Sequence, residues 1–239
     1  MPEATDMPRA FVVMPYYGMV EPGAVEAYAA PNNYPKWPKH HQIAVGRWSR
    51  ASSSGAPHCF NILLTQALDA RDRGEVTHLA MIHQDLIPID GQWLNRLYAE
   101  MVDNDLQVIS AVAAIKNDEG KTSCATGPAD DPWTVRKYVK ICDRLQMPQT
   151  FGAETVCRDG EVLLINTGCM LADLRLPCWD DFAFNFVCRI GRDKDGNRQA
   201  QFRPDDWEMS RHLHRHGVRY GATWAVRLDH AGAKFYPNY

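Results

Sequence analysis

Short apolar runs alternating with stretches of helical spacing limit what this chain can fold into more than any other feature. Ala10-Phe-Val-Val-Met-Pro15, Thr77-His-Leu-Ala-Met-Ile82 and the segment Leu106 to Ile115 each read as a buried strand. Between the first two, Ile62, Leu63, Leu64, Ala67 and Leu68 keep helical spacing until Gly74. Between the second and third, Trp93, Leu94, Leu97, Tyr98 and Met101 form an apolar stripe, with Asp90 placed to cap the helix. Further on, Val162-Leu-Leu-Ile165 returns to strand and leads into Asn166-Thr-Gly-Cys-Met-Leu-Ala172. Pro204-Asp-Asp-Trp opens a helix that runs to about His216 and stops at Gly217, with acids at its start and Arg and His at its end, as the helix dipole favours. A last strand over 221–228 presents Asp229-His230-Ala-Gly232. Strands alternating with helices predict an α/β fold with a layered sheet.

A chain of 239 residues, 45% hydrophobic and 23% charged, is expected to form one domain over 1–239, and it contains no repeat or low-complexity tract. A net charge of −3 argues against a protein whose task is coating nucleic acid and leaves room for a local basic patch. None of the seven cysteines falls in a CxxC pair, so reduced thiols are expected and structural zinc is not. No run approaches the ~20 apolar residues of a membrane span. The first residues lack the basic and apolar regions of a secretory signal, and a cytoplasmic protein is the expectation. Three stretches, 16–58, 116–160 and 178–202, are polar, rich in turn formers and read as long loops.

Three polar clusters stand at element ends: His83-Gln84-Asp85, Asp205-Asp206 and His230. In open α/β sheets ligands bind outside the carboxyl ends of the strands, which makes these clusters the candidate site. Asp85 suits a hard divalent cation shared with phosphates, or it begins a turn before Pro88. Asp206 suits a general base, or a helix cap or first-turn acid; one member of the pair is enough for the cap, which leaves the other free. His212, His214 and His216 beside Arg211, Arg215 and Arg219 read as a solvated helix face; His212 and His216 have the spacing of a zinc pair, but no Glu follows His212. Trp93 and Trp207 read first as core. Asn166-Thr167-Gly168 is either a tight turn or backbone facing a ligand, and Trp133 and Phe182-Ala-Phe184 are candidates to line a cleft.

The order of Phe11-Val-Val-Met-Pro-Tyr-Tyr-Gly, Leu79-Ala-Met-Ile-His-Gln-Asp-Leu-Ile-Pro88, Asn166-Thr-Gly-Cys-Met-Leu, Arg203-Pro-Asp-Asp-Trp-Glu-Met and Asp229-His-Ala-Gly resembles the GT-A-fold glycosyltransferases, of the broad family 2 type, over nearly the whole chain. The resemblance implies a single Rossmann-like GT-A domain whose central, mostly parallel mixed sheet is flanked by helices. It implies that Pro15, Tyr16, Tyr17 and Gln84 line a nucleotide pocket. His83-Gln84-Asp85 would stand at the family's Asp-x-Asp motif, with Asp85 as the metal-binding member and His230 completing the metal site. The first Asp of that motif is His83 here, a softer ligand, so Mn²⁺ is expected before Mg²⁺, or else His83 hydrogen-bonds the ribose. Asp205-Asp206 would stand where the family has Glu-Asp, with Asp206 as base, and Gly168, Thr167, Trp207 and Trp133 would contact the acceptor. The implied reaction moves a sugar from a nucleotide-sugar donor, a UDP-sugar before others, to a hydroxyl of a glycan, metabolite, protein or modified DNA base. Inversion is expected, with a retaining outcome open. A nucleotidyltransferase-like enzyme is the alternative of the same fold, against which Pro15-Tyr-Tyr-Gly18 offers no Lys or Arg for a phosphate loop. A non-catalytic sugar- or nucleotide-binding module is the third reading, resting on His83.

Overall fold

The computed structural model describes residues 7–31, 37–53, 55–89, 91–135, 137–232 and 235–239. In chain order the strands are β1 (Arg9–Tyr16), β2 (Ala44–Ser52), β3 (His78–Ile82), β4 (Leu86–Pro88), β5 (Val108–Ala111), β6 (Lys121–Pro128), β7 (Lys137–Lys140), β8 (Thr150–Gly152), β9 (Glu161–Leu164), β10 (Cys169–Asp173), β11 (Val187–Arg192), β12 (Arg198–Arg203), β13 (Tyr220–Thr223), β14 (Leu228–Ala231) and β15 (Phe235–Pro237). The helices are α1 (Pro22–Ala29), α2 (Ala56–Asp72), α3 (Trp93–Asp103), the single-turn α4 (Ala153–Val156) and α5 (Asp205–Arg215).

Seven strands form the main sheet in the order β2-β1-β3-β10-β5-β13-β8. β2, β1 and β3 are mutually parallel, as are β5 and β13; β10 runs against both β3 and β5, and β8 runs against β13 at the edge. The sheet is therefore mixed, with three of its six neighbouring pairs parallel and three antiparallel. Its period-2 alternation builds two cores. Phe11 and Val13 of β1, Leu79 and Met81 of β3, and Met170 and Ala172 of β10 face α2 through Phe60, Leu63 and Leu64. Ala10, Val12, Met14, Ala80, Ile82, Cys169 and Leu171 face the other way, against Trp93, Leu94 and Leu97 of α3. Strands buried on both faces must read as unbroken apolar runs, which is why β1, β3 and β5 are visible in the sequence.

The stretches read as long loops hold regular structure. Residues 16–58 contain α1 and β2, residues 116–160 contain β6, β7, β8 and α4, and residues 178–202 contain most of the β11–β12 hairpin. β2 is an edge strand with few buried side chains, and no residue of β11 or β12 is fully buried, so neither carries an apolar signature. The hairpin closes on an Asx-type turn, in which Asp193 Oδ1 accepts the N–H groups of Asp195 and Asn197, with Gly196 at φ 83°. The strand expected over 221–228 divides into β13 and β14, and the one expected from Leu106 to Ile115 is only β5. Asp90 lies outside the described residues; the cap position of α3 is Gln92. Phe182 and Phe184 pack on Trp179 and Phe60 in the core rather than lining a cleft.

α5 departs most from its expected setting. Arg211 and His212 are buried, not part of a solvated basic face. The Arg211 guanidinium donates to the carbonyls of Pro128 at 2.7 Å and Asp131 at 3.4 Å, past the end of β6, and a His212 ring nitrogen bonds the Cys178 carbonyl at 2.8 Å. His214, Arg215, His216 and Arg219 keep the solvent side. Because Arg211 satisfies buried carbonyls, Arg211→Ala is expected to lower unfolding free energy by about 2–4 kcal/mol, read from urea denaturation, whereas Arg215→Ala should change it by less than about 0.5 kcal/mol. All seven cysteines are free. Among the described residues no helix is long and apolar enough to cross a membrane.

Candidate active site

The carboxyl ends of the parallel strands share one edge of the main sheet, and most of the candidate polar residues leave from it. β1 delivers Pro15, Tyr16 and Tyr17, and β3 delivers His83, Gln84 and Asp85. The reversed strand β10 starts at this same edge, which brings Asn166, Thr167 and Gly168 there. Gln84 fastens β1 to β3 beyond the sheet: its Oε1 accepts the Tyr17 N–H at 2.6 Å and its Nε2 donates to the Tyr17 carbonyl at 2.7 Å. The His83 N–H donates to the Gly168 carbonyl at 2.7 Å, and its Nε2 lies 3.3 Å from Thr167 Oγ1. Asn166 makes the Asn-Thr-Gly segment a true turn, accepting the Gly168 N–H at 2.8 Å and donating to the Ala111 carbonyl at 2.9 Å. A Cβ on Gly168 would sit 2.5 Å from Leu86 Cδ1 and 3.1 Å from Asn166 Oδ1. Gly168→Ala is therefore expected to cost about 1–3 kcal/mol in a denaturation experiment.

Strand register brings His230 to Asp85 across a distance in sequence that no motif spans. β14 pairs antiparallel with β4, opposing Leu86 to His230, and the Ala231 N–H donates to the Asp85 carbonyl at 2.8 Å. His230 Nε2 then lies 3.5 Å from Asp85 Oδ2, while its Nδ1 lies 2.6 Å from the Ala114 carbonyl. A residue absent from the sequence-derived site completes this corner. Lys116 donates through Nζ to the same Asp85 Oδ2 at 2.5 Å. Its position directly after Ile115, the last residue of the apolar run that contains β5, is the signal that could have found it, since that run leads out of the same sheet edge.

Burial and charge set the protonation states here. Burial holds the His83 imidazole down at about 4, against the pull of Asp85, so it is neutral near pH 7. Asp85 is partly buried, which by itself disfavours its charge, yet its contacts with His230 and Lys116 hold it well below the usual carboxylate range. The Tyr17 phenol is pushed up to about 12, first by burial and then by the charges of Asp85 and Asp205.

Asp205 and Asp206 occupy the first turn of α5, and Pro204 takes the cap position without a side-chain bond. The helix is seated by Ser210, whose Oγ accepts the Ile165 N–H at 2.9 Å, and by Met209 and Leu213 in the core. Asp205 is buried, its Oδ2 has no hydrogen-bond partner, and burial pushes the carboxyl up to about 6. Asp206 is pushed up to about 8, first by burial and then by the like charge of Asp205. Its Oδ1 accepts the Trp207 N–H at 2.8 Å. Asp206 lines a cavity of ≈ 370 Å³ with Ile115, Ser123, Tyr138, Phe202 and Trp207. Tyr138 and Trp207 stand 6.1 Å apart between ring centroids, which gives this cleft an aromatic wall. Trp207 is half-buried: it packs against the small core cluster of Ala125, Val162 and Leu164 and also lines this cleft. Ile115, next to Lys116, joins the Asp206 cleft to the Asp85 corner. Trp133 lies outside the cavity lining, with the guanidinium groups of Arg189 at 4.0 Å and Arg203 at 4.8 Å from its ring centroid.

The donor set at Asp85 does not fit a resident divalent cation. Among the described residues no three His, Cys, Asp or Glu side chains converge as ligands. One carboxylate oxygen already carries an ammonium, and His83 Nε2 is turned to Thr167.

The fold and this edge-built site define an α/β protein with a mixed sheet flanked by helices and a polar corner at the strand ends. Among solved structures the chain is similar to the crystal structure of A197 from STIV, with a TM-score of 0.53 and 13% sequence identity, over 94% of this chain and 86% of that one. At that identity the likeness establishes the fold alone. No protein-family model matches the chain, and no curated protein matches it in sequence.

Proposed function

We propose that the chain is a GT-A-like glycosyltransferase that moves a sugar from a nucleoside-diphosphate donor to a hydroxyl acceptor with inversion. The observation that carries this reading is the joining of two chemically distinct subsites by one segment: Ile115 and Lys116 connect the charged Asp85 corner to the cavity that holds Asp206. Sugar transfer needs both. Negative charge grows on the departing diphosphate and calls for a cation, and the attacking hydroxyl must lose a proton to a positioned base. Tyr16 and Tyr17, the latter fastened by Gln84, offer ring faces and backbone to a nucleotide base, and the Tyr138–Trp207 wall suits an acceptor that presents a ring face beside Asp206. Burial and the neighbouring Asp205 charge strengthen the hold of Asp206 on a proton, as a base that must take one requires. Phe202 of β12 lines the cavity and its neighbour Arg203 meets Trp133, which makes the hairpin a candidate second contact for the acceptor.

Incubation of the protein with a panel of UDP-, GDP-, dTDP- and CMP-activated sugars, followed by detection of released nucleotide, tests this reading. Slow release with at least one donor, accelerated by a hydroxyl acceptor, is the expected result. Absence of both nucleotide binding by saturation-transfer NMR and nucleotide release, with every donor, would overturn it.

A further inference from the structure

The Asp85 corner contains its own cation. Asp85 Oδ2 receives the Lys116 ammonium at 2.5 Å and faces His230 Nε2 at 3.5 Å. His230 Nδ1 donates to the Ala114 carbonyl at 2.6 Å, which fixes the ring with Nε2 turned toward that carboxylate. The lysine is seated rather than loose. Its stem runs past Gly232, where a Cβ would lie 3.1 Å from Lys116 Cδ and 3.3 Å from Tyr236 Cε2, so a side chain at position 232 would press on it. Its backbone is set by a tight turn in which the Ile115 N–H bonds the Lys121 carbonyl at 2.9 Å and the Asn117 N–H bonds the Ile115 carbonyl at 2.7 Å. The Lys116 and Asp85 side chains remain 35% and 30% exposed, so the ammonium can meet an anion arriving from solvent.

We infer that Lys116 is the cationic anchor for the donor diphosphate, with Asp85 and His230 positioning the ammonium rather than chelating a metal. This rests on the glycosyl-transfer reading above. In the step it serves, the bond between the anomeric carbon and the β-phosphate oxygen breaks with its electron pair leaving on the phosphate. The acceptor oxygen forms the new bond to the anomeric carbon, and its proton passes to Asp206. The added negative charge on the nucleoside diphosphate faces the Lys116 ammonium, a point charge suited to phosphate oxygens.

Titration of the full chain with UDP, GDP and dTDP by calorimetry, in chelator and with Mn²⁺, tests the inference. Wild-type protein is expected to bind at least one of these equally well in both. Lys116→Met keeps the stem but not the charge. It is expected to weaken binding about 10- to 100-fold in chelator and to regain much of it with Mn²⁺, because Asp85 and His230 are then released to a metal. Electron paramagnetic resonance of Mn²⁺ should show no stoichiometric binding to wild type and a bound signal with Lys116→Met plus nucleotide. Lys116→Arg, which retains the charge, should keep binding in chelator. Wild-type binding that disappears in chelator and returns with Mn²⁺ would overturn the lysine's role and leave the donor reading standing. No nucleoside diphosphate binding under either condition would overturn both. Matching thermal melts of the variants and wild type exclude misfolding as the cause of any loss.

Discussion

Asp206→Asn is expected to lower the rate of sugar transfer by about 10²- to 10⁴-fold, the usual contribution of a positioned base, while nucleotide binding stays within about twofold. The change is nearly isosteric and removes only the ability to take a proton. The substitution is also expected to stabilise the protein. Asp206 holds its proton more firmly folded, at about 8, than in the unfolded chain, where its ordinary value is 3.8. A carboxyl raised in the folded state binds more protons there, so stability falls as pH rises from about 4 to about 8 and levels off above. Asn at this position carries no such burden. Wild type and variant should therefore melt at similar temperatures near pH 4 and diverge toward pH 8, with the variant higher. A variant that transfers at the wild-type rate would remove Asp206 from the mechanism. Equal melting temperatures at pH 8 would show that its burial costs nothing.

The second large effect is the pH dependence of catalysis. A base must be ionised to act, so kcat/KM is expected to climb about tenfold per pH unit below about 8 and to level off above it. Asp205→Asn removes the like charge that contributes to the high value of Asp206, so the rising limb should move to lower pH and the rate at pH 6.5 should increase. Burial is the larger cause and is untouched by that change, so the limb should not return to the pH of an ordinary carboxylate. A limb that stays in place in Asp205→Asn would mean that the two carboxyls do not interact. A profile flat from pH 5 to 8 would mean that another group takes the proton. Both acids stand in the first turn of a helix capped by Pro204 without a side-chain bond, so loss of the Asp205 charge should cost little helix stability.

The sheet's central strands were legible because burial on both faces leaves an unbroken apolar run, as in Phe11-Val-Val-Met and Leu79-Ala-Met-Ile. β2, β11 and β12 were not, since an edge or protruding strand keeps polar side chains on exposed faces and its partner strand satisfies only the backbone. The same division holds for the site. His83-Gln84-Asp85 and Asp205-Asp206 stood out as polar groups closing an apolar strand or opening a helix. Lys116 did not, being one lysine in a polar stretch until Asp85 is beside it. His212 and Arg211 misled in the opposite sense. A charged or titratable side chain reads as solvated, but here each satisfies backbone carbonyls that lie 34 and 83 residues away.

Local periodicity by itself thus determined the α/β layering and the ends of the strands where polar groups collect, because side-chain alternation and helical spacing act between near neighbours. The tertiary structure alone decided which of those groups meet. The β4–β14 register sets His230 against Asp85, and the turn after β5 sets Lys116 on the same carboxylate. Register and ion pairing join residues far apart in the chain, and their energies depend on burial that exists only once the sheet has closed.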